Sequence, residues 1–125
     1  MIKILVIEDN KTFLRMFSQM LLGRFSAITI VEAVDCADAF DKFKTQQFDL
    51  VFTDINLPDG NGLECVGKIK ILRPETVVVV MSLSDLPEYQ FAAIEVGANY
   101  FISKHSLNEP GVVNLLDTLF LDLRS

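Results

Sequence analysis

The chain has 125 residues, half of them apolar, and a formal net charge of -6 from 17 acidic and 11 basic side chains. This length suits one hydrophobic core, and no apolar run approaches the roughly 20 residues that a membrane-spanning helix needs. No Lys or Arg cluster supplies the positive field that draws nucleic acid, and the lone histidine, His105, argues against histidine-based zinc sites and a Ser-His-Asp hydrolase.

Ile2 to Ile7 opens the chain as an apolar run that stops at Glu8-Asp9. It has no small-residue cleavage site and is too short for a secretory signal, so it reads as a strand. Phe13, Met16, Phe17, Met20 and Leu21 then fall at the offsets of one helix face. Ile28 to Val34 is predicted as a second strand, leading into a helix that carries Cys36, Ala39, Phe40 and Phe43. A third strand, Leu50 to Thr53, ends at Asp54, which is expected at the surface. The turn Pro58-Asp59-Gly60-Asn61-Gly62 precedes a helix from about Leu63 to Leu72, and Pro74 closes it by withholding a backbone donor. Val77 to Met81 is the fourth strand. Asp85 as a cap, Pro87 in the first turn and Glu88 at the positive end of the dipole mark the next helix start. Tyr89, Ala92, Ala93 and Val96 form its expected buried stripe and Gly97 its end. Asn99 to Ser103 is a fifth strand, and Val112, Leu115, Leu116, Leu119 and Phe120 define the last helix.

This alternation implies an α/β fold with a parallel sheet covered on both faces, because right-handed crossovers lay helices over the sheet. The unbroken Val77-Val78-Val79-Val80 suits a strand buried on both sides. No linker, low-complexity stretch or internal repeat divides residues 1–125, which read as one domain, either free-standing or the input part of a longer regulator. Cys36 and Cys65 show neither metal-ligand spacing nor a disulfide framework. Both are expected to be ordinary packing residues in a reducing, cytoplasmic setting.

In an open α/β sheet, ligands bind beyond the carboxyl ends of the strands, where the strand order reverses. Strand ends therefore matter, and here they carry Glu8, Asp9, Asp54, Ser82 and Lys104. Three of the five are carboxylates. Held together they repel one another unless a cation offsets their charge, and an all-oxygen set suits a hard divalent ion such as Mg²⁺.

The strings ILVIEDN, DLVFTDINLPDGNGLE, VVVVMSLSD and GANYFISKHS, in this order, closely resemble the receiver domain of two-component response regulators over essentially the whole chain. That resemblance implies a doubly wound sheet of order 2-1-3-4-5. It implies Asp54 as the residue phosphorylated by a sensor histidine kinase or phosphotransfer protein, and Mg²⁺ (or Mn²⁺) held by Glu8, Asp9, Asp54 and the backbone carbonyl of Asn56. Ser82 matches the hydroxyl that engages the phosphoryl oxygens, Lys104 the ammonium that pairs with them, and Phe101 the aromatic that reorients in the switch. A missing output domain or a partner protein receives the signal, and phosphorylation-dependent dimerisation through the fourth helix, fifth strand and fifth helix is a family expectation. The chain departs from the family pattern at Leu83, where a small residue is usual, and at His105, where Pro often follows a cis peptide. A cis bond before a non-proline costs about 3 to 4 kcal/mol, so Lys104-His105 is expected to be trans, or a strained cis bond retained for site geometry.

Plainer readings stand beside these. Glu8-Asp9 would also cap a helix, Asp54 would also serve a turn, Phe101 would also be core, and lysines such as Lys104 are usually solvated. Two alternative functions remain open at this stage. A pseudo-receiver would use the same surface without phosphorylation, although its usual sign, loss of an acidic or lysine position, is missing. An aspartate-nucleophile phosphatase would need an acid two residues after Asp54, and Asn56 there cannot supply a proton.

Overall fold

The computed structural model describes residues 1–125. In chain order the main elements are β1 (Ile2–Ile7), α1 (Lys11–Arg24), β2 (Ile28–Ala33), α2 (Cys36–Phe43), β3 (Leu50–Asp54), α3 (Gly62–Leu72), β4 (Val77–Ser82), α4 (Pro87–Glu95), β5 (Tyr100–Ser103) and α5 (Pro110–Arg124). The strands form one parallel sheet in the order β2-β1-β3-β4-β5, the expected 2-1-3-4-5.

Side chains alternate across a strand, and the apolar ones divide accordingly. Ile4, Val6, Leu50, Phe52, Val79 and Met81 face α1 and α5, where they meet Phe17, Leu21, Leu116 and Phe120. Leu5, Ile7, Val51, Val78 and Val80 point the other way, onto Ala39, Phe43, Val66, Ile69 and Ala93 of α2, α3 and α4. Every residue of β3 is buried, because it lies between β1 and β4 with helices on both faces. Phe17 meets Phe52 edge-on with ring centroids 4.9 Å apart, one of the contacts that seat α1 on the sheet.

Several local outcomes differ from the sequence reading. Asp54 is buried rather than superficial, since it ends a strand flanked on both sides. The cap of α1 is Asn10, whose side chain accepts from the Phe13 amide, so Glu8 and Asp9 are free of that task. Asp85 does not cap α4: the helix starts at Pro87 after Leu86 with no side-chain cap, and Ser84 Oγ accepts from the Leu86 amide instead. Tyr89 is not part of a buried stripe. Within α4 only Ala93 is buried, the helix packing over the edge strand β5. The Lys104-His105 peptide is trans and forms the start of a short 3-10 turn, Lys104–Ser106.

Cys36 and Cys65 are joined as a disulfide, with Cα atoms 5.9 Å apart. This overturns the expectation of two ordinary reduced cysteines. Their sequence separation of 29 carries no motif, but α2 and α3 pack on the same sheet face and bring the two together. No helix is long and apolar enough to cross a membrane.

Candidate functional site

Parallel strands end on one edge, so the ends of β1, β3, β4 and β5 deliver Glu8, Asp9, Asp54, Ser82 and Lys104 to one corner of the molecule. The segment after β3 doubles back through two antiparallel rungs, Asn56 with Asn61 and Leu57 with Gly60. Gly62 makes that return possible. Its amide donates to the Ile55 carbonyl at 2.8 Å, and a Cβ there would collide with the carbonyl oxygens of Asp54 and Ile55. A side chain at position 62 would therefore push the loop off the acceptor strand.

Lys104 Nζ lies 2.5 Å from Glu8 Oε1 and 3.0 Å from Asp54 Oδ2. Its side chain is only 6 % exposed, and the ammonium also sits 4.3 Å from the centre of the Phe13 ring. Glu8 Oε2 accepts from the Asn10 amide, and Asp54 Oδ1 from the Asn56 amide at 3.2 Å. Ser82 is buried and its Oγ accepts from the Ser84 amide at 3.0 Å, which leaves the hydroxyl proton available to donate. Asp9 is exposed at the rim.

One ammonium thus faces three carboxylates. Burial, the largest influence, pushes the Glu8 carboxyl above the usual carboxylate range, and the neighbouring Asp54 charge adds to the rise. Hydrogen bonds from Lys104 and the Asn10 amide pull the other way. Ligand oxygens of Glu8, Asp9 and Asp54 all lie within 4.8 Å of one another. An all-carboxylate set carrying surplus negative charge fits a hard divalent cation, so the residues present suit such an ion.

The structure therefore gathers Glu8, Asp9, Asp54, Asn56 and Lys104 at one place, with Ser82 on the adjacent strand end. Phe101 stands apart from them. It is half-buried on edge strand β5 and lines a depression of about 320 Å³ with Gln90, Val112 and Leu115, between α4 and α5. Leu83 is 62 % exposed and His105 is also exposed. Phe13 escaped the sequence reading as a site residue, because it shares the helical spacing of the core residues Phe17 and Leu21. The signal was its place in the first turn after Glu8-Asp9, which aims it at the strand ends.

A doubly wound 2-1-3-4-5 sheet with an acidic cluster and a lysine at its carboxyl edge defines a receiver. The family model described as the response regulator receiver domain matches residues 4–115, and the chain belongs to that family of two-component signalling domains. It is 34 % identical over 100 residues to the Fimbriae Z protein of Salmonella typhimurium, covering 79 % of this chain and 48 % of that one. It is 29 % identical over 102 residues to the chemotaxis protein CheY of Thermotoga maritima, covering 82 % and 85 %. The chain spans about half the length of the Fimbriae Z relative. Among solved structures, a response regulator from Burkholderia pseudomallei, with a phosphorylated aspartic acid, calcium ion and citrate, superposes with a TM-score of 0.76. Its identity is 18 %, over 98 % of this chain and 75 % of that one, which speaks to the fold.

Proposed function

We propose that Asp54 is the phosphoacceptor of a signalling switch, taking its phosphoryl group from the phosphohistidine of a sensor histidine kinase or phosphotransfer protein. The observation that carries this reading is the buried Asp54 carboxylate held between the Lys104 ammonium and the Glu8-Asp9 pair at the sheet's carboxyl edge. An Asp54 oxygen forms the new P–O bond as the donor's P–N bond breaks, and the electron pair of that bond returns to the imidazole. Glu8, Asp9, Asp54 and the Asn56 carbonyl would hold Mg²⁺ or Mn²⁺, which when bound offsets the charge on attacking and phosphoryl oxygens.

Lys104 supplies a charge-assisted hydrogen bond to the phosphoryl oxygens once Asp54 is modified, and Ser82 donates its free proton to them. Both residues then draw β4, β5 and their following loops toward the acceptor. Phe101 borders the depression between α4 and α5, so its ring has space to change position. α4 is weakly seated and presents Phe91 and Ile94 to solvent beside the exposed Leu86 that precedes it, with Phe91 74 % exposed. That face serves the output domain or partner protein, or a second phosphorylated copy. The domain occupies residues 1–125, works in the cytoplasm, contacts neither nucleic acid nor membrane, and modifies itself without acting as an enzyme on others.

The test is intact-mass measurement of the wild type and Asp54→Asn after incubation with Mg²⁺ and phosphoramidate. One labile phosphate is expected on the wild type and none on the variant. Absence of an adduct with small donors and with phosphohistidine alike would sink the reading in favour of a phosphorylation-independent interaction module. Rapid multiple turnover without an adduct would instead point to a phosphatase.

A further inference from the structure

The Cys36–Cys65 disulfide closes a corner that also belongs to the acceptor loop. Cys36 is the first residue of α2, and Cys65 lies in the first turn of α3. Between them runs the tip of the segment that follows β3. The Asp59 carboxylate accepts from the Cys36 amide at 3.1 Å and from the Ala37 amide at 3.0 Å. The same loop carries Asn56 at its start, bonded to Asp54, and Gly62 at its end. The loop is therefore bracketed by the acceptor strand on one side and by the cysteine pair on the other.

The two cysteines are not equally exposed. Both line a cleft of about 200 Å³ with Asp59, Asn61, Glu64 and Lys68, but Cys65 is 1 % exposed whereas Cys36 is half-buried. We propose that Cys36 and Cys65 are a reversible thiol-disulfide pair that latches the loop after the acceptor strand, and that oxidation preorganises the cation site. The second half of this proposal rests on reading Glu8, Asp9 and Asp54 as that site.

The chemistry balances with a small-molecule disulfide of the glutathione class as oxidant. The Cys36 thiolate attacks one sulfur of that disulfide, whose S–S bond breaks to release one thiolate. Cys65, deprotonated, then attacks the Cys36 sulfur of the mixed disulfide and expels the second thiolate. Two protein thiols lose two electrons and two protons, and the small disulfide gains them as two thiols. The greater exposure of Cys36 sets the order, with Cys36 the entry point. In a reducing cytoplasm disulfides are rare, and those that occur are usually transient or redox-sensing, which suits a latch better than a permanent staple.

The experiment equilibrates the folded chain in glutathione buffers of varied redox ratio, alkylates it and reads intact mass, then measures Mn²⁺ affinity of both forms by electron paramagnetic resonance. The pair is expected to gain or lose both alkylation sites together. Cys65→Ala is expected to trap one glutathione on Cys36, and Cys36→Ala to trap none. Mn²⁺ is expected to bind the reduced form about tenfold more weakly, the low end for losing groups that orient metal ligands. A pair that stays closed in excess thiol, stays open in excess disulfide, or leaves Mn²⁺ affinity unchanged overturns the proposal. Phosphoramidate labelling of both forms is scored separately: no adduct in either removes Asp54 as acceptor, while the thiol and Mn²⁺ results still decide the latch.

Discussion

Two lysines are drawn into this fold, and their partners differ in kind. Lys104, at the carboxyl edge of the sheet, meets the carboxylates of Glu8 and Asp54 with a third, Asp9, close by. Lys70, near the opposite edge, donates to three neutral oxygens: the Pro74 carbonyl at 3.1 Å, the Thr76 carbonyl at 2.8 Å and Asn99 Oδ1 at 3.0 Å. Asn99 Oδ1 also accepts from the Val78 amide, so Lys70 ties α3 to the start of β4 and β5. Burial, the largest influence, pulls the Lys70 amine below its usual range, with the nearby Glu75 charge opposing. All three of its donors are satisfied by neutral acceptors, so no hydrogen-bonding demand remains there. At Lys104 a surplus of negative charge remains. One lysine closes a structure and the other waits among charges that it does not balance.

Replacing each lysine by methionine tests that contrast. Lys104→Met leaves two buried carboxylates without their cation, and loss of one member of a buried ion pair typically costs about 3 to 5 kcal/mol. The loss is expected in urea denaturation without divalent ions, and millimolar Mg²⁺ is expected to recover part of it by binding the folded state. Lys70→Met loses hydrogen bonds from a charged donor and is expected to cost about 2 kcal/mol, with no recovery in Mg²⁺. Equal recovery in both variants would erase the difference between the two edges.

Phe13 sharpens the comparison on the Lys104 side. Its ring stacks on Phe17 at 5.7 Å, and Phe17 in turn meets Phe52, so the platform beneath the ammonium is anchored in the core. A double-mutant cycle of Phe13→Leu with Lys104→Met is expected to give a coupling of about 1 kcal/mol in stability, within the usual cation–π range. Phe13→Trp, with the stronger ring quadrupole, is expected to keep the coupling. A coupling near zero would reduce Phe13 to an ordinary core residue.

The fold was legible because the sheet carries its pattern in order. Val77-Val78-Val79-Val80 admits little but a doubly covered strand, and helical spacing marks α1 and α5 unmistakably. Glu8, Asp9, Asp54, Ser82 and Lys104 were legible for the same reason, since each ends a strand of a parallel sheet. Contacts set by helix packing were not. Cys36 meets Cys65 only because α2 and α3 share a sheet face, and Tyr89 reaches solvent because α4 lies at the sheet edge with Ala93 as its one buried residue. Apolar spacing shows which residues prefer burial, but not whether the sheet edge has room for them. Asp85 failed as a cap for a similar local reason: Ser84 serves the Leu86 amide ahead of the helix.

The smallest effect concerns Asp59, a carboxylate hydrogen-bonded by amides, where Asp54 is held by an ammonium as well as by the Asn56 amide. Hydrogen bonds from the Ala37 and Cys36 amides hold the Asp59 carboxyl below its ordinary range. Between the folded and unfolded values the unfolded chain binds more protons, so this acid contributes stability above the unfolded value of about 3.9. The contribution is lost as pH falls from there through the folded value. Asp38 and Asp117, held low by Lys42 and Arg24, titrate in the same direction, so the wild-type profile alone does not isolate Asp59. Asp59→Asn keeps one acceptor at the α2 start but removes the charge. The wild type is expected to exceed the variant slightly in urea midpoint at pH 6, and the two are expected to converge once pH lies below the folded value. A gap that persists in strong acid would show that position 59 acts through packing at the disulfide corner and not through its charge.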